Sequence, residues 1–330
     1  MGSDAQQTIV GIDVGGTKTA VVEGSYAGEI LRRQEFETEA EKPYKETCWR
    51  IYAAIDRTLK LAAYEGRKAG VISVSIGGPL RISEGFILDP PHLPGWHNLA
   101  LQSELARRFS QLPVLVEHDG NAGALAEFHF GVGRNEAGLQ HLIFLTFGTG
   151  LGAGIVVNGA ILHGASDTAG EVGHWRLSDK GPVGFGKAGS WEGYASGAGL
   201  VQLAVRMFPK RWKASTPIRE VVEAMLADDA QGLEVAAEAG RWMGRGMALL
   251  VDAFNPQMIV LGSLAVALGE RVLSPAREVV QAEALPQAAA ACRIVPSALG
   301  SSIGDVASLM AAIAQKSRMH QQKGTTVQSR

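Results

Sequence analysis

Cysteine is nearly absent: Cys48 and Cys292 are the only two in 330 residues. Two thiols are too few for a disulfide framework or a thiolate metal site, and they fit a reducing cytoplasm. An excess of one charge is lacking as well. Thirty-one lysines and arginines stand against 33 aspartates and glutamates, a formal net charge of −2, so no global field draws nucleic acid or an anionic membrane surface. No apolar run approaches the roughly 20 residues that a membrane span needs, and Met1 to Gln7 lacks the apolar core of a signal peptide. The chain therefore reads as soluble and cytoplasmic, with no membrane or nucleic-acid partner. MGSDAQQ at the start and the polar stretch QKSRMHQQKGTTVQSR at the end contain little that could pack, and residues 317–330 are expected to be disordered.

What is present is a 46% hydrophobic composition, enough for a sizeable core and long enough for two lobes. One pattern occurs twice. TIVGIDVGGTKTAVVEGSYAGEIL, starting at Thr8, reads as strand, glycine turn, strand, turn, strand. HLIFLTFGTGLGAGIVVNGAILHG, starting at His141, repeats the plan, with Asn158-Gly159 as a hairpin turn. Helical and strand patterns follow each meander. An amphipathic helix is expected around Tyr44 to Arg67, another after GWHNLAL and another from near Asn121. After the second meander come three helical stretches and the strand QMIVLGS. Two similar α/β lobes with a cleft between them follow: residues 8–118 as a small lobe, 119–298 as a larger one, and a last helix, about 299–316, crossing back to the first.

Each meander puts a glycine turn at the end of an apolar strand, where bare backbone N–H groups can approach an anion. GIDVGGTKT is not a Walker loop, because Thr17 intervenes before Lys18 and a strand follows. GTGLGA is followed by an alternating strand, so the helix of a dinucleotide site is missing. Either turn alone reads equally as a plain hairpin turn. Their duplication, and Asp13 buried just before the first, points to a polyphosphate clamp, since hydrated Mg²⁺ beside ATP would give that aspartate a partner. LPVLVEHDGNAGALAEF sets His118 and Asp119 where a strand yields to a helix. Asp119 is the candidate base for phosphoryl transfer to an alcohol, although it or Asn121 could instead cap the helix. GEVGHWRLSDKGPVGFGKAGSWEGYASG, from Gly170 to Gly197, carries Glu171, His174 and Glu192, which on their own could bind metal, bind substrate or decorate a loop.

Taken in order from about Ile9 to Ala312, GIDVGGTK, SIGGPL, HLPGW, HDGNAGALAE and GTGLGAGIVVNGAILHG resemble the ROK family of sugar kinases and repressors, within the actin-like/hexokinase superfamily. The resemblance implies a duplicated actin-like (ribonuclease H-like) two-lobed α/β fold with an interlobe active-site cleft. It also implies a kinase acting with ATP and Mg²⁺ on a sugar, and a homodimer. Carried over, Asp119 is the general base. Asp13, Gly15, Gly16, Thr17, Lys18, Gly148, Thr149, Gly150 and Gly262 hold ATP and Mg²⁺, and Gly78, His118, Glu171, His174 and Glu192 hold the sugar.

Two positions depart from the family. His118 stands where the family has asparagine, which leaves the sugar open, with glucose as default and other hexoses or N-acylhexosamines as alternatives. Val183, Phe185 and Ser190 stand where three zinc thiolates would be, so no structural zinc is expected. The alternative reading is a sugar-binding sensor or regulator of the same family without a DNA-binding domain, because only seven residues precede Thr8. An actin-like ATPase is less in keeping with the sugar-side motifs, and the phosphoryl donor is open between ATP and polyphosphate.

Overall fold

The computed structural model describes residues 7–328; residues 1–6 of the initial MGSDAQQ, and residues 329–330 of the polar stretch at the other end, lie outside the described residues. The chain divides into two compact units. One gathers the described residues up to Ala126 with His163–Thr168 and the chain from Ser301 onward; the other comprises Glu127–Leu162 and Ala169–Gly300.

In the first unit β1 (Gln7–Val14), β2 (Lys18–Gly24) and β3 (Ile30–Glu37) form the expected meander, followed by α1 (Tyr44–Tyr64) and β4 (Lys68–Ile76). A small hairpin, β5 (Leu80–Arg81) with β6 (Phe86–Ile87), precedes α2 (Leu101–Arg108), β7 (Val114–His118) and α3 (Asp119–His129). The sheet order is β3-β2-β1-β4-β7. Strand β1 is buried on both faces, which explains its continuous apolar run, whereas β3 alternates exposed and covered residues as an edge strand should. Helix α1 buries Cys48, Ile51, Ala54, Ile55, Thr58 and Ala62, the three-and-four spacing that one helix face requires.

The second unit repeats the plan. Its strands β8 (Leu142–Phe147), β9 (Leu151–Val157) and β10 (Ala160–Ile161) form a second meander. Its turn runs through Asn158 and Gly159 at φ 52° and 73°, the left-handed pair that suits an Asn-Gly hairpin. A short hairpin, β11 (Val183–Gly184) with β12 (Lys187–Ala188), leads into α4 (Trp191–Tyr194), α5 (Gly197–Met207), α6 (Ile218–Leu226) and α7 (Ala230–Phe254). Strand β13 (Met258–Leu261), helices α8 (Leu264–Leu268), α9 (Glu270–Glu283) and α10 (Pro286–Ala291), and strand β14 (Arg293–Pro296) complete it. The order β10-β9-β8-β13-β14 matches the first sheet strand for strand, with the first two pairings antiparallel and the last two parallel in both. The duplicated α/β fold expected from the sequence is thus the fold of the chain.

Three details differ from the sequence reading. Helix α3 begins at Asp119 and not near Asn121, and the division between the units falls inside it, after Ala126, instead of at residue 119. The closing helix is two: α11 (Ile303–Ala307) and α12 (Met310–Gln328). Their junction at Ser308 and Leu309 sits so close to Gly11 of β1 that a Cβ there would fall 2.9 Å from Leu309 Cδ2, which is why a glycine interrupts that strand. Finally, the backbone of the polar stretch expected to be disordered continues as helix to Gln328, its Gln, Lys, Arg and Met being ready helix formers.

Candidate functional site

In the first unit the candidate residues collect at the carboxyl ends of three adjacent strands, β1, β4 and β7, where open α/β sheets bind ligands. Asp13 lies in β1 opposite Ser75 of β4, and Ile76 pairs with His118 of β7. Burial first, and then the negative charges of Asp119 and Asp305, push the Asp13 carboxyl up from its ordinary 3.8 to about 7, against the lowering influence of Ser75 and Arg33. Arg33 holds Asp305 in place through Nε, 2.9 and 2.8 Å from the two carboxylate oxygens. The two further carboxylates add to a raise that burial begins, and a cation bound here would relieve it. Asp13 would be its carboxylate ligand, because Mg²⁺ takes only one or two carboxylates and fills its shell with water and phosphate.

The turn Gly15–Thr17 closes with the Gly15 amide donating to the Lys18 carbonyl at 3.0 Å. Gly16 has no room for a side chain, since a Cβ would stand 2.8 Å from the His92 carbonyl oxygen. Thr17 and Lys18 are exposed, and the Lys18 ammonium pairs with Glu35 at 2.5 Å.

At the head of α3 the Gly120 amide donates to Asp119 Oδ1 at 2.7 Å and lies 3.2 Å from His118 Nδ1. His118 Nδ1 also lies 3.3 Å from Asp119 Oδ1. Asp119, with its side chain 50% exposed, does not cap the helix from outside: it is the first helical residue and uses one oxygen for the turn. Gly77 and Gly78 press on this pair. A Cβ on Gly78 would fall 2.7 Å from His118 Cδ2 and one on Gly77 would fall 3.5 Å from Asp119 Oδ2.

Asn121 is not the cap either. It is buried, and its amide donates to Glu117 Oε1 at 3.0 Å. Glu117 went unnoticed in the sequence although it is the buried anchor of this turn, and it also meets His163 Nε2 at 2.9 Å. The only sequence signal was a charged residue inside the apolar strand LPVLVEHD.

In the second unit Gly148–Gly150 forms the turn between β8 and β9. The Gly148 amide donates to the Gly150 carbonyl at 3.1 Å, and the Gly197 amide at the start of α5 donates to the Gly148 carbonyl at 2.7 Å. Thr149 is exposed at the tip. Gly148 also abuts Ser263, the neighbour of Gly262 at the end of β13, so the two glycine positions assigned to the nucleotide adjoin. A capped helix start beside such a turn adds its positive dipole end to an anion's surroundings.

Glu192 Oε2 accepts from the Leu151 amide at 3.0 Å, and Glu171 precedes a short 3-10 turn, Val172–His174. That turn lies against the start of β9, where a Cβ on Gly173 would fall 2.3 Å from the Leu151 carbonyl oxygen and 3.3 Å from Glu192 Cβ. His174 stacks on Phe185, ring centroids 3.7 Å apart. At the other positions expected to have lost their thiolates, Val183 lies in β11, and the buried Ser190 hydroxyl ties the hairpin to α4, accepting from the Gly184 and Gly193 amides at 3.0 and 3.1 Å. Among the described residues no group of three or more His, Cys, Asp or Glu side chains is arranged to hold a metal ion, and no helix is long and apolar enough to cross a membrane. Cys48 and Cys292 are buried and free.

The chain is 31% identical to a glucokinase of Halalkalibacterium halodurans, over 89% of this chain and 92% of that one. It is 30% identical to a xylose repressor of Caldicellulosiruptor bescii, over 83% of this chain and 70% of the repressor. The solved structure of a ROK family glucokinase from Streptomyces griseus, in complex with glucose and AMPPNP, superposes with a TM-score of 0.75 at 28% identity, covering 94% of this chain and 99% of that one. With the ROK family model matching residues 9–316, the chain belongs to the ROK family.

Proposed function

We propose that the chain is an ATP-dependent sugar kinase that transfers the γ-phosphoryl group to a hydroxyl of a hexose or N-acylhexosamine, with Asp119 as general base. The observation that carries this reading is the head of α3. A solvent-reached carboxylate is fixed at one oxygen by the Gly120 amide and flanked by His118 and the Gly77-Gly78 turn, at strand ends that also bear Asp13. Kinship with glucokinases supports it.

In this reading Asp119 Oδ2 takes the proton of the sugar hydroxyl as its oxygen bonds to the γ-phosphorus, while the bond from phosphorus to the bridging oxygen breaks and ADP departs. His118, Gly78, Glu171, His174 and Glu192 orient the sugar. Carboxylates and an imidazole grip adjacent hydroxyls through charge-assisted bonds. The turns Gly15–Lys18 and Gly148–Gly150, with Gly262, receive the nucleotide. Asp13 would hold Mg²⁺, which neutralises phosphate charge when bound. A cytoplasmic homodimer is the working unit proposed.

A coupled ADP-release assay over a sugar panel, run with ATP and with polyphosphate, tests it. Sugar-dependent turnover that Asp119→Ala reduces by about 10²–10⁴-fold is expected; turnover unchanged by that substitution removes Asp119 as base. The xylose repressor kinship favours one other reading, a non-catalytic or weakly active sugar sensor. Sugar binding by calorimetry with no ADP release from any donor would establish that one.

A further inference from the structure

Behind the proposed base lies a buried acid that no step of the transfer uses. Glu117, 5% exposed, is the penultimate residue of β7. Its Oε1 accepts from the His118 amide at 2.9 Å and from the Asn121 side-chain amide at 3.0 Å, so it grips both sides of the turn that presents His118 and Asp119. Its other oxygen faces His163 Nε2 at 2.9 Å. A carboxylate so far from water is tolerable only while each oxygen has a donor, and His163 is the donor for Oε2.

His163 opens the segment His163–Thr168, which belongs to the first unit although the chain on either side of it lies in the second. The segment is fastened at its far end too, where Asp167 Oδ2 accepts from the Ile82 amide at 2.9 Å, just past the β5 strand. It thus spans from β7, the strand that leads into the base, to the hairpin that follows the Gly77-Gly78 turn.

We propose that His163 is a positioning residue for the base: in its charged form it pairs with Glu117, and the pair holds the 117–121 turn in the geometry that aims Asp119. The proposal rests on the reading of Asp119 as base. The charges around the imidazole favour the cation on balance. The bond to Glu117 raises its pKa most, burial opposes, the Glu117 and Asp167 charges add to the raise, and Arg318 of α12 lowers it. A group whose folded pKa is raised keeps its contribution below its ordinary value of 6.5 and loses it as pH climbs through the higher folded one. Above that, a neutral imidazole still donates from Nε2, but a charge-assisted bond is roughly twice as strong as a neutral one. The aim of Asp119 should therefore loosen on the alkaline side.

Two substitutions and one titration test this. His163→Leu removes the donor and should lower kcat about tenfold at pH 7, the scale of one charge-assisted hydrogen bond, with the KM for ATP within about twofold. His163→Gln keeps an amide donor without a charge; it should recover most of the kcat and flatten the alkaline decline seen in the unsubstituted protein. The imidazole titration followed by NMR should show a His163 midpoint above 6.5 that falls in Glu117→Gln. A His163→Leu protein with kcat within twofold and an unaltered pH profile overturns the proposal, as does a loss that His163→Gln does not recover at any pH. Should His163→Leu fail to fold, the Gln variant and the titration decide, and a midpoint at or below 6.5 is fatal. Failure of the underlying reading looks different: Asp119→Ala would retain turnover while the Glu117-dependent midpoint of His163 persisted.

Discussion

His174 lies face to face with Phe185, ring centroids 3.7 Å apart and planes 18° from parallel. Phe185 occupies a position where the ROK family often has a zinc thiolate, and it reaches the imidazole from a backbone at φ 53° at the tip of the β11–β12 hairpin. The ring does by stacking what a shared metal would do by coordination, and Lys187 adds a bond to the His174 carbonyl at 2.7 Å. Phe185→Ala should therefore raise the sugar KM severalfold with kcat and the KM for ATP little changed. The stability cost should be about 1 kcal/mol, the value of one aromatic pair, read by denaturant unfolding. An unmoved sugar KM would separate His174 from the substrate. Metal analysis of the purified protein should find no stoichiometric zinc.

Asp13 gives the ligand-free protein a pH dependence. Its folded pKa, about 7, stands above the ordinary 3.8, so between those values the folded state binds more protons than the unfolded state. Stability then falls as pH rises through that window, by an amount on the order of a few kcal/mol. Asp13→Asn should raise Tm relative to the unsubstituted protein at pH 8 and lose that advantage at pH 4, while turnover is abolished. Equal Tm values at pH 8 would mean that Asp13 is not under the strain its neighbours imply.

Much of this was legible in the chain itself, for identifiable reasons. Both meanders showed because glycine turns interrupt continuous apolar strands, as in TIVGIDVGGTKTAVVEG, and the passage from β7 to α3 showed because a strand pattern stops at Asp119. What did not show depends on partners distant in sequence or on backbone that side-chain identity disfavours. Glu117 and His163 are 46 residues apart, and nothing local marks their pairing. A phenylalanine at positive φ is not foreseeable from propensity. The start of α3 was read two residues late because Asn121 resembles a cap, whereas tertiary bonding to Glu117 claims its side chain. The helical course of residues 317–328 leaves no trace in the sequence pattern because that polar stretch has no apolar periodicity.

The two glycines that crowd the site should fail in different ways. In Gly16→Ala a Cβ meets the His92 carbonyl oxygen at 2.8 Å, a backbone atom that cannot step aside, so the first phosphate turn must move. In Gly78→Ala it meets the His118 ring, with Nε2 at 2.9 Å, so the imidazole must rotate away from the Gly120 amide. Steady-state kinetics should find the KM for ATP raised about tenfold or more in the first, and the sugar KM raised in the second with the KM for ATP nearly constant. Identical effects on both substrates would argue against separate phosphate and sugar contacts. His118→Asn, which restores the family's residue, should likewise alter sugar preference before it alters ATP affinity.

Glu127 gives the sharpest stability prediction. Its carboxylate is fully buried, accepts from the Ser297 hydroxyl, and takes the Leu299 and Val132 amides at 3.0 Å each, with the Ala298 amide at 3.3 Å. One side chain thus fastens the end of α3 to the loop after β14, and residue 131 is a glycine there because a Cβ would fall 2.0 Å from Glu127 Oε2. Glu127→Ala strands several buried amides at once, each costing about 1–3 kcal/mol when left unmade. Some bonds are regained by water, so a net loss of about 3–5 kcal/mol is expected in urea unfolding. Glu127→Gln should cost less, because its carbonyl oxygen at the Oε2 position still accepts from the Val132 and Ala298 amides and its NH₂ can donate to Ser297 Oγ, leaving only the Leu299 amide without its acceptor. A loss below about 1 kcal/mol for Glu127→Ala would mean that the loop after β14 is held by its own backbone turn, in which the Gly300 amide donates to Ser297 Oγ at 3.0 Å.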